Sequence, residues 1–128
     1  MDIRFDGMTA VVTGGASGIG AAIAQELAES GATVLVADLS QPRADERAKK
    51  VGHGAFATAV DVTEPEQVKA MIEFAVARTG TVHLLVNNAG IAGEGGAVPE
   101  HGLEDWHKII DVNLHGVFYG LKYGIPAI

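Results

Sequence analysis

Three glycines at the end of an apolar run are the first residues of this sequence whose type and spacing suggest chemistry. The segment 13–20 reads Thr-Gly-Gly-Ala-Ser-Gly-Ile-Gly and leads directly into a helical pattern. Gly14 permits a sharp turn, Gly18 lets a diphosphate approach the backbone, and Gly20 lets helix and strand pack closely. The helix N-terminus presents N–H groups and partial positive charge to phosphates. The segment therefore predicts a nucleotide-binding turn, the alternative being an ordinary tight turn. A P-loop is excluded, because no Gly-Lys-Ser/Thr follows.

An aspartate stands where the sugar of such a nucleotide would lie. Asp38 follows Gly20 by 18 residues (38 − 20) and closes the second apolar run. A carboxylate at this point accepts hydrogen bonds from the ribose hydroxyls of adenosine and repels a 2′-phosphate. No Lys or Arg occupies positions 15–17 or 39, and Arg43 is the one nearby cation. The sequence therefore favours NAD over NADP, the alternative being an aspartate that only caps a helix or a turn.

Alternating strands and helices must position these residues. Apolar runs predict strands over 8–13, 33–37, 55–60 and 82–86, and helical patterns lie between them and from about residue 103 onward. A Thr-x-x-Glu capping box at Thr63 predicts the start of the third helix. Strands and helices that alternate at spacings of about 25 residues are typical of βαβ units with right-handed crossovers. We therefore expect an α/β fold, a Rossmann-like doubly wound parallel sheet, as a single domain over residues 1–128.

Composition excludes several classes of protein. Lys+Arg 9 against Asp+Glu 16 gives a net charge of −7, which disfavours nucleic acid and anionic membranes as partners. The absence of cysteine excludes disulfides and thiolate metal sites, and the five histidines show no metal-ligand spacing, so we expect no metal. No apolar run approaches the roughly 20 residues that span a bilayer, and charges at Asp2, Arg4 and Asp6 are unlike a signal peptide. These features predict a cytoplasmic protein.

Four motifs in order make the sequence similar to the short-chain dehydrogenase/reductase family. They are Thr-Gly-x-x-x-Gly-x-Gly at 13–20, Asp-Val at 61–62, Asn-Asn-Ala-Gly at 87–90 and Asp-Val-Asn at 111–113, and together they cover essentially the whole chain. The resemblance implies hydride transfer between a nicotinamide and an alcohol or ketone, and a homo-oligomer whose interface includes the last helix. It also implies that Asp61 and Val62 contact the adenine and that residues 88–90 line the cofactor. The predicted cofactor-binding residues are Gly14, Ser17, Gly18, Ile19, Gly20, Asp38, Leu39, Asp61, Val62, Asn88, Ala89 and Gly90.

Asn113 is the one candidate catalytic residue. It shares a helical face with the apolar residues Trp106, Ile109, Ile110 and Val117, and Trp106 is interpreted as packing. A polar side chain on such a face must find partners or cost roughly 1–3 kcal/mol, so a satisfied core asparagine is the alternative. The resemblance implies that Asn113 organises a water-mediated proton relay from a catalytic lysine.

The remaining catalytic groups implied by the resemblance are a serine, a tyrosine and a lysine four residues after the tyrosine. All three would follow the strand after the Asn113 helix, whereas the sequence stops at Ile128. Tyr119 and Lys122 are spaced i, i+3 and come too early to be this pair. We therefore expect a fold truncated after the fourth strand and the following helix, and a chain that is inactive alone.

Two alternatives remain open at this point. One is a nucleotide-binding remnant without turnover, and the other is a subunit that completes its sheet with another chain. His83 departs from the family pattern, since many members carry an acid there, and it bears on local hydrogen bonding.

Overall fold

Strands and helices alternate along the computed structural model, which describes residues 2–128. Short apolar runs that end at glycine or aspartate form the strands, and longer runs with helical periodicity form the helices. The strands are β1 (Thr9–Thr13), β2 (Thr33–Asp38), β3 (Phe56–Ala59) and β4 (Leu84–Val86), and the helices are α1 (Gly18–Glu29), α2 (Gln41–Val51), α3 (Pro65–Thr79), α4 (Leu103–Ile110) and α5 (Gly116–Gly124).

The four strands form one parallel sheet in the order β3-β2-β1-β4. Val11 of β1 pairs with Leu35 of β2 on one side and with Leu85 of β4 on the other. The chain reverses direction across the sheet between β3 and β4, so the strand order switches beside β1. The doubly wound fold predicted from the alternation is therefore confirmed, and the switch leaves a crevice at the carboxyl ends of β1 and β4.

Both faces of the sheet are covered by helices. Along β1 and β2 successive side chains alternate between two buried clusters, which is the period-2 geometry of a strand. One cluster joins Ala10, Val12, Val34 and Val36 to apolar residues of α1 and α2, and the other joins Val11, Leu35 and Phe56 to those of α3, with α5 at its edge. The nearly continuous apolar character of these strands follows from burial on both faces.

The last helical segment is built differently from the expected single helix. A π-helical turn at Asp111–His115 separates α4 from α5. The face of α5 on the sheet consists of Gly116, Gly120 and Gly124, all buried. A Cβ at Gly116 would lie 2.9 Å from Val62 Cγ2, and one at Gly124 would lie 2.7 Å from Leu85 Cδ2. Only glycine permits an approach this close.

Two expectations for side chains are wrong. Trp106 does not pack into the core; it is 52% exposed and lies edge-on against the ring of His101. Thr63 does not cap α3, because its hydroxyl donates to Asp61 Oδ1 (2.7 Å) and the helix begins at Pro65 after Glu64. In both cases a neighbouring side chain competes with the local pattern.

His83, the residue before β4, bonds to β1 through both its backbone and its ring. Its backbone N–H donates to Thr9 O (2.9 Å), and its ring Nδ1 accepts the N–H of Thr9 (3.0 Å). β4 lies at the edge of the described sheet, and its three residues are half-buried. None of the helices within residues 2–128 is long and apolar enough to cross a bilayer.

Candidate functional site

One cleft of about 880 Å³ opens at the carboxyl ends of the parallel strands. Ten of the twelve predicted cofactor-binding residues line it: Gly14, Ser17, Ile19, Asp38, Leu39, Asp61, Val62, Asn88, Ala89 and Gly90. Gly18 and Gly20 belong to the same turn but do not line the cleft, and neither does Asn113. The topology therefore brings four separated segments of the sequence to one place.

The glycines of the turn are required for different reasons. Gly14 has a φ of +63°, and a Cβ there would lie 2.9 Å from Asn88 Nδ2. Gly18 has a φ of +56° and open space where a Cβ would be, so that the backbone is accessible. A Cβ at Gly20 would collide with the carbonyl of Gly14 and with the amide of Asn88. The close contact of Gly20 is thus with the turn itself, rather than with the strand as predicted.

Asn88 and Thr13 tie the ends of β1 and β4 together. The Asn88 side-chain amide donates to Thr13 O (3.0 Å) and to Gly14 O (3.2 Å). The hydroxyl of Thr13, a nearly inaccessible residue, accepts the N–H groups of Asn88 and Ala89, each at 3.0 Å. These bonds consume the carbonyl groups that would otherwise face the cleft. The Asn-Asn-Ala-Gly segment therefore shapes the turn as well as the cleft wall.

The carboxylate of Asp38 lies at the cleft wall and fastens the glycine turn to β2. Its Oδ2 accepts the N–H of Ala16 (3.0 Å), and its Oδ1 accepts the N–H of Leu39 (2.8 Å). A carboxylate has about four acceptor positions, so two backbone bonds leave capacity for hydroxyl donors. Beside it Ile19 and Leu39 are 74% and 72% exposed, which places two apolar side chains at the cleft mouth.

Asp61 and Val62 form the wall after β3. Oδ1 of Asp61 accepts both the N–H (3.0 Å) and the hydroxyl (2.7 Å) of Thr63, so this loop is held by its own side chain. Val62 contacts Gly116 of α5 from the other side. The wall is therefore fixed between α5 and a rigid turn.

Asn113 lies at the π-helical turn and holds the loop after β4. Its Oδ1 accepts the N–H of Ile91, and its Nδ2 donates to the carbonyl of Ile91, both at 2.8 Å. A second tie joins Asp105 of α4 to the N–H of Glu94 (3.1 Å). Asn113 therefore has backbone partners, but it is exposed, so the alternative of a satisfied core asparagine is wrong.

Part of the cleft lining was not predicted from the sequence. Glu104, His107, Lys108, Asp111 and Val112 of α4 and the π-helical turn lie along it. These five residues are spaced i, i+3, i+4, i+7 and i+8, so they share one helical face, and this is the only local signal that groups them. Within residues 2–128 no group of three or more His, Asp or Glu side chains is arranged to hold a metal ion.

Comparison with known proteins shows that this chain is similar to dehydrogenases. A family model described as short chain dehydrogenase matches residues 8–128. Cyclohexanol dehydrogenase from Acinetobacter sp. (strain SE19) is 41% identical to this chain, and the match covers 100% of the chain and 52% of that protein. A 3-alpha-(or 20-beta)-hydroxysteroid dehydrogenase from Mycobacterium bovis is 38% identical, with 95% and 46% covered.

A solved structure of a dehydrogenase also matches this chain. A short chain dehydrogenase/reductase from Burkholderia phymatum, crystallised in complex with NAD, superposes with a TM-score of 0.92 at 34% identity. The match covers 98% of this chain and 46% of that one. The chain spans about half the length of the curated relatives it matches.

The contact between Asn113 and Ile91 yields a prediction about the loop after β4. We expect Asn113→Ala to speed amide exchange at Ile91 at least about fivefold, since it removes a hydrogen-bond acceptor whose loss costs about 1 kcal/mol. Hydrogen exchange followed by NMR measures this rate. Asn113→Asp is the control, because it keeps a side-chain oxygen for the Ile91 N–H. An unchanged rate in Asn113→Ala contradicts the assignment.

Proposed function

The chain belongs to the short-chain dehydrogenase family, and we propose that its 128 residues bind NAD as the cofactor part of an oxidoreductase that acts on an alcohol or ketone. The observation that carries this proposal is the cleft in which the glycine turn and the Asp38 carboxylate face one another. A bound nicotinamide would supply the hydride acceptor or donor for such a reaction. The chain's own residues would bind and orient it.

The arrangement of the turn fits a diphosphate. Ala21 N–H donates to Ser17 O as an early bond of α1, so the N–H groups of residues 17–20 have no partner within the helix and can donate to an anion. Gly18 adds a positive φ and open space at the point of closest approach. Ile19 and Leu39 flank the adenosine side, and Asp61 and Val62 lie where the family places the adenine.

Preference for NAD over NADP follows from Asp38. A 2′-phosphate would place a second anion against a carboxylate that is already held in position by Ala16 and Leu39. Arg43, the cation that the sequence places nearby, caps α2 through its backbone N–H to Ser40 Oγ (3.3 Å), and its side chain is exposed. The charge balance at the ribose therefore favours a free hydroxyl.

We further propose that these 128 residues bind the cofactor without turning over substrate. Hydride transfer also requires a group that gives or takes the alcohol proton. Tyr119 and Tyr123 pack against the sheet face under α3, away from the cleft, and Lys122 Nζ lies 5.9 Å from the centre of the Tyr123 ring. Asn113 acts in this proposal as a positioning residue, because its amide is committed to Ile91.

A homo-oligomer is the proposed assembly. On the outer face of α5 and the preceding turn, Leu114, Phe118, Leu121 and Ile125 recur every three or four residues, and each is more than 40% exposed. A continuous apolar stripe of this kind is typical of a surface that packs on a second helix.

The role of Asp38 is tested by two substitutions. We expect Asp38→Ala to weaken NADH binding about tenfold or more, because hydrogen bonds to a charged group contribute about 1.5–3 kcal/mol. Asp38→Asn keeps an acceptor for Ala16 but removes the charge, so it should narrow the difference between NADH and NADPH. Fluorescence titration measures both dissociation constants. Asp45→Ala removes the same charge from exposed α2 and should change neither. Equal affinities of the wild type for NADH and NADPH would contradict the preference.

Absence of turnover is tested directly. We expect no change in NADH absorbance above background when the chain is mixed with NAD and cyclohexanol or a hydroxysteroid, the substrate types that the names of two relatives print. The reason is that no Tyr and Lys pair lies at the cleft. Turnover that disappears in Tyr119→Phe, Lys122→Met or His107→Gln would show that the chain supplies its own proton donor, which contradicts the proposal.

Self-association is tested by the outer face of α5. We expect the wild type to sediment as an oligomer and Phe118→Glu with Leu121→Glu to sediment as a monomer, because buried charge at both positions opposes pairing. Ile3→Glu introduces a charge at a different exposed apolar residue and should leave the oligomer intact. A wild-type monomer at all concentrations in sedimentation velocity would contradict the proposal.

A further inference from the structure

Arg47 is the basic side chain of α2 that reaches the glycine turn. Its Nε–H donates to the carbonyl oxygen of Ala16 at 3.0 Å, across 31 residues of sequence. Arg47 is half-buried, whereas Arg43, one turn earlier on the same helix, is exposed. Nearby, Lys50 pairs instead with Glu46 at 3.2 Å, within the helix. Arg47 therefore differs from Arg43 and Lys50, because its side chain bonds to a residue outside its own helix.

The Ala16 residue is held on both of its backbone polar groups. Its N–H donates to Asp38 Oδ2 (3.0 Å) while its carbonyl accepts from Arg47. The preceding N–H, of Gly15, donates to Ala37 O (3.0 Å), and Ala16 itself is 6% exposed. The N–H groups of Gly15 and Ala16 therefore hold the turn to the end of β2, and the Ala16 carbonyl holds it to α2.

Fixing the Ala16 carbonyl also fixes the next amide. The N–H and C=O of a trans peptide point in opposite directions, and no cis peptide occurs within residues 2–128. Arg47 holds the Ala16 oxygen from behind the turn, and it is not among the residues that line the cleft. The N–H of Ser17 therefore points away from Arg47, and Ser17 does line the cleft. Ser17 is also the residue before α1, whose N–H makes no bond within the helix.

We propose that Arg47 is a positioning residue for the cofactor diphosphate, and that it orients the Ser17 N–H by holding the Ala16 carbonyl. This inference rests on the proposed function, since it concerns the same cleft. A carbonyl released by loss of Arg47 could rotate toward the cleft, where its partial negative charge would oppose the phosphates.

The chemistry of the contact predicts which substitution rescues it. A lysine at position 47 keeps one donor and the positive charge but lacks the planar, rigid arrangement of the guanidinium donors. A methionine at position 47 has a similar length but no N–H donor and no charge, so it cannot bond to the Ala16 carbonyl. Arg43→Met is the matched control, because it removes the same charge from the same helix without touching the turn.

Binding of NADH, ADP and adenosine to each variant tests the proposal. We expect Arg47→Met to weaken NADH and ADP about tenfold, to leave adenosine within about twofold, and Arg47→Lys to recover most of the loss. Arg43→Met should leave all three within about twofold. Titration calorimetry, or competition monitored by NMR for adenosine, provides the constants, and thermal unfolding with circular dichroism verifies that each variant is folded.

The possible results separate the two proposals. Arg47→Met that weakens adenosine as strongly as ADP indicates general damage to the cleft and overturns the diphosphate role. Equal effects of Arg47→Met and Arg43→Met overturn it as well, since only net charge would then matter. A folded wild type that binds neither NADH nor ADP contradicts the proposed function and this inference with it, whereas a wild type that binds both and tolerates Arg47→Met contradicts the inference alone.

Discussion

The turn after β1 can receive an anion only if its carbonyl groups are held away from the cleft while N–H groups stay available. Side chains from outside the turn donate hydrogen bonds to three of its backbone carbonyl oxygens. Asn88 holds the carbonyls of Thr13 and Gly14, and Arg47 holds that of Ala16. The side chains that do this come from the loop after β4 and from α2. β4 pairs with β1, and α2 packs over β2 and β3 on the other side of β1, so the topology is a precondition of the site.

Hydrogen bonds from the backbone N–H groups of the turn to a diphosphate have to offset the repulsion by the negative charge of the protein. The chain has a net charge of −7, and four carboxylates line the cleft, those of Asp38, Asp61, Glu104 and Asp111, against the single lysine Lys108. A diphosphate therefore approaches against the overall field, which salt screens beyond about 8 Å. The proposed binding therefore depends on short-range bonds to backbone N–H groups and on the helix N-terminus, whose effect is confined to the first turn. A Cβ at Gly14 or Gly20 would meet atoms of the turn and of Asn88, so glycine at these positions maintains the required geometry.

Features that depend on neighbouring residues could be predicted from the sequence, whereas contacts between distant residues could not. The alternation of strands and helices follows from periodicity and turn residues, because these patterns act over a few neighbours. The predicted site was largely brought together because the carboxyl ends of parallel strands meet at one edge. Arg47 was not predicted, since a bond between residues 31 positions apart has no local pattern. Thr63 was misread because Asp61, two residues away, competes for its hydroxyl.

The glycine face of α5 shows why the last helix was the hardest element to predict and how it relates to the site. The large apolar residues Leu114, Phe118, Leu121 and Ile125 are exposed, whereas Gly116, Gly120 and Gly124 are buried. Because these three positions lack a Cβ, α5 lies close enough for Gly116 to contact Val62 of the cleft wall and for Gly124 to contact Leu85 of β4. The same short helix therefore carries the exposed apolar stripe on one side and supports the cleft wall on the other.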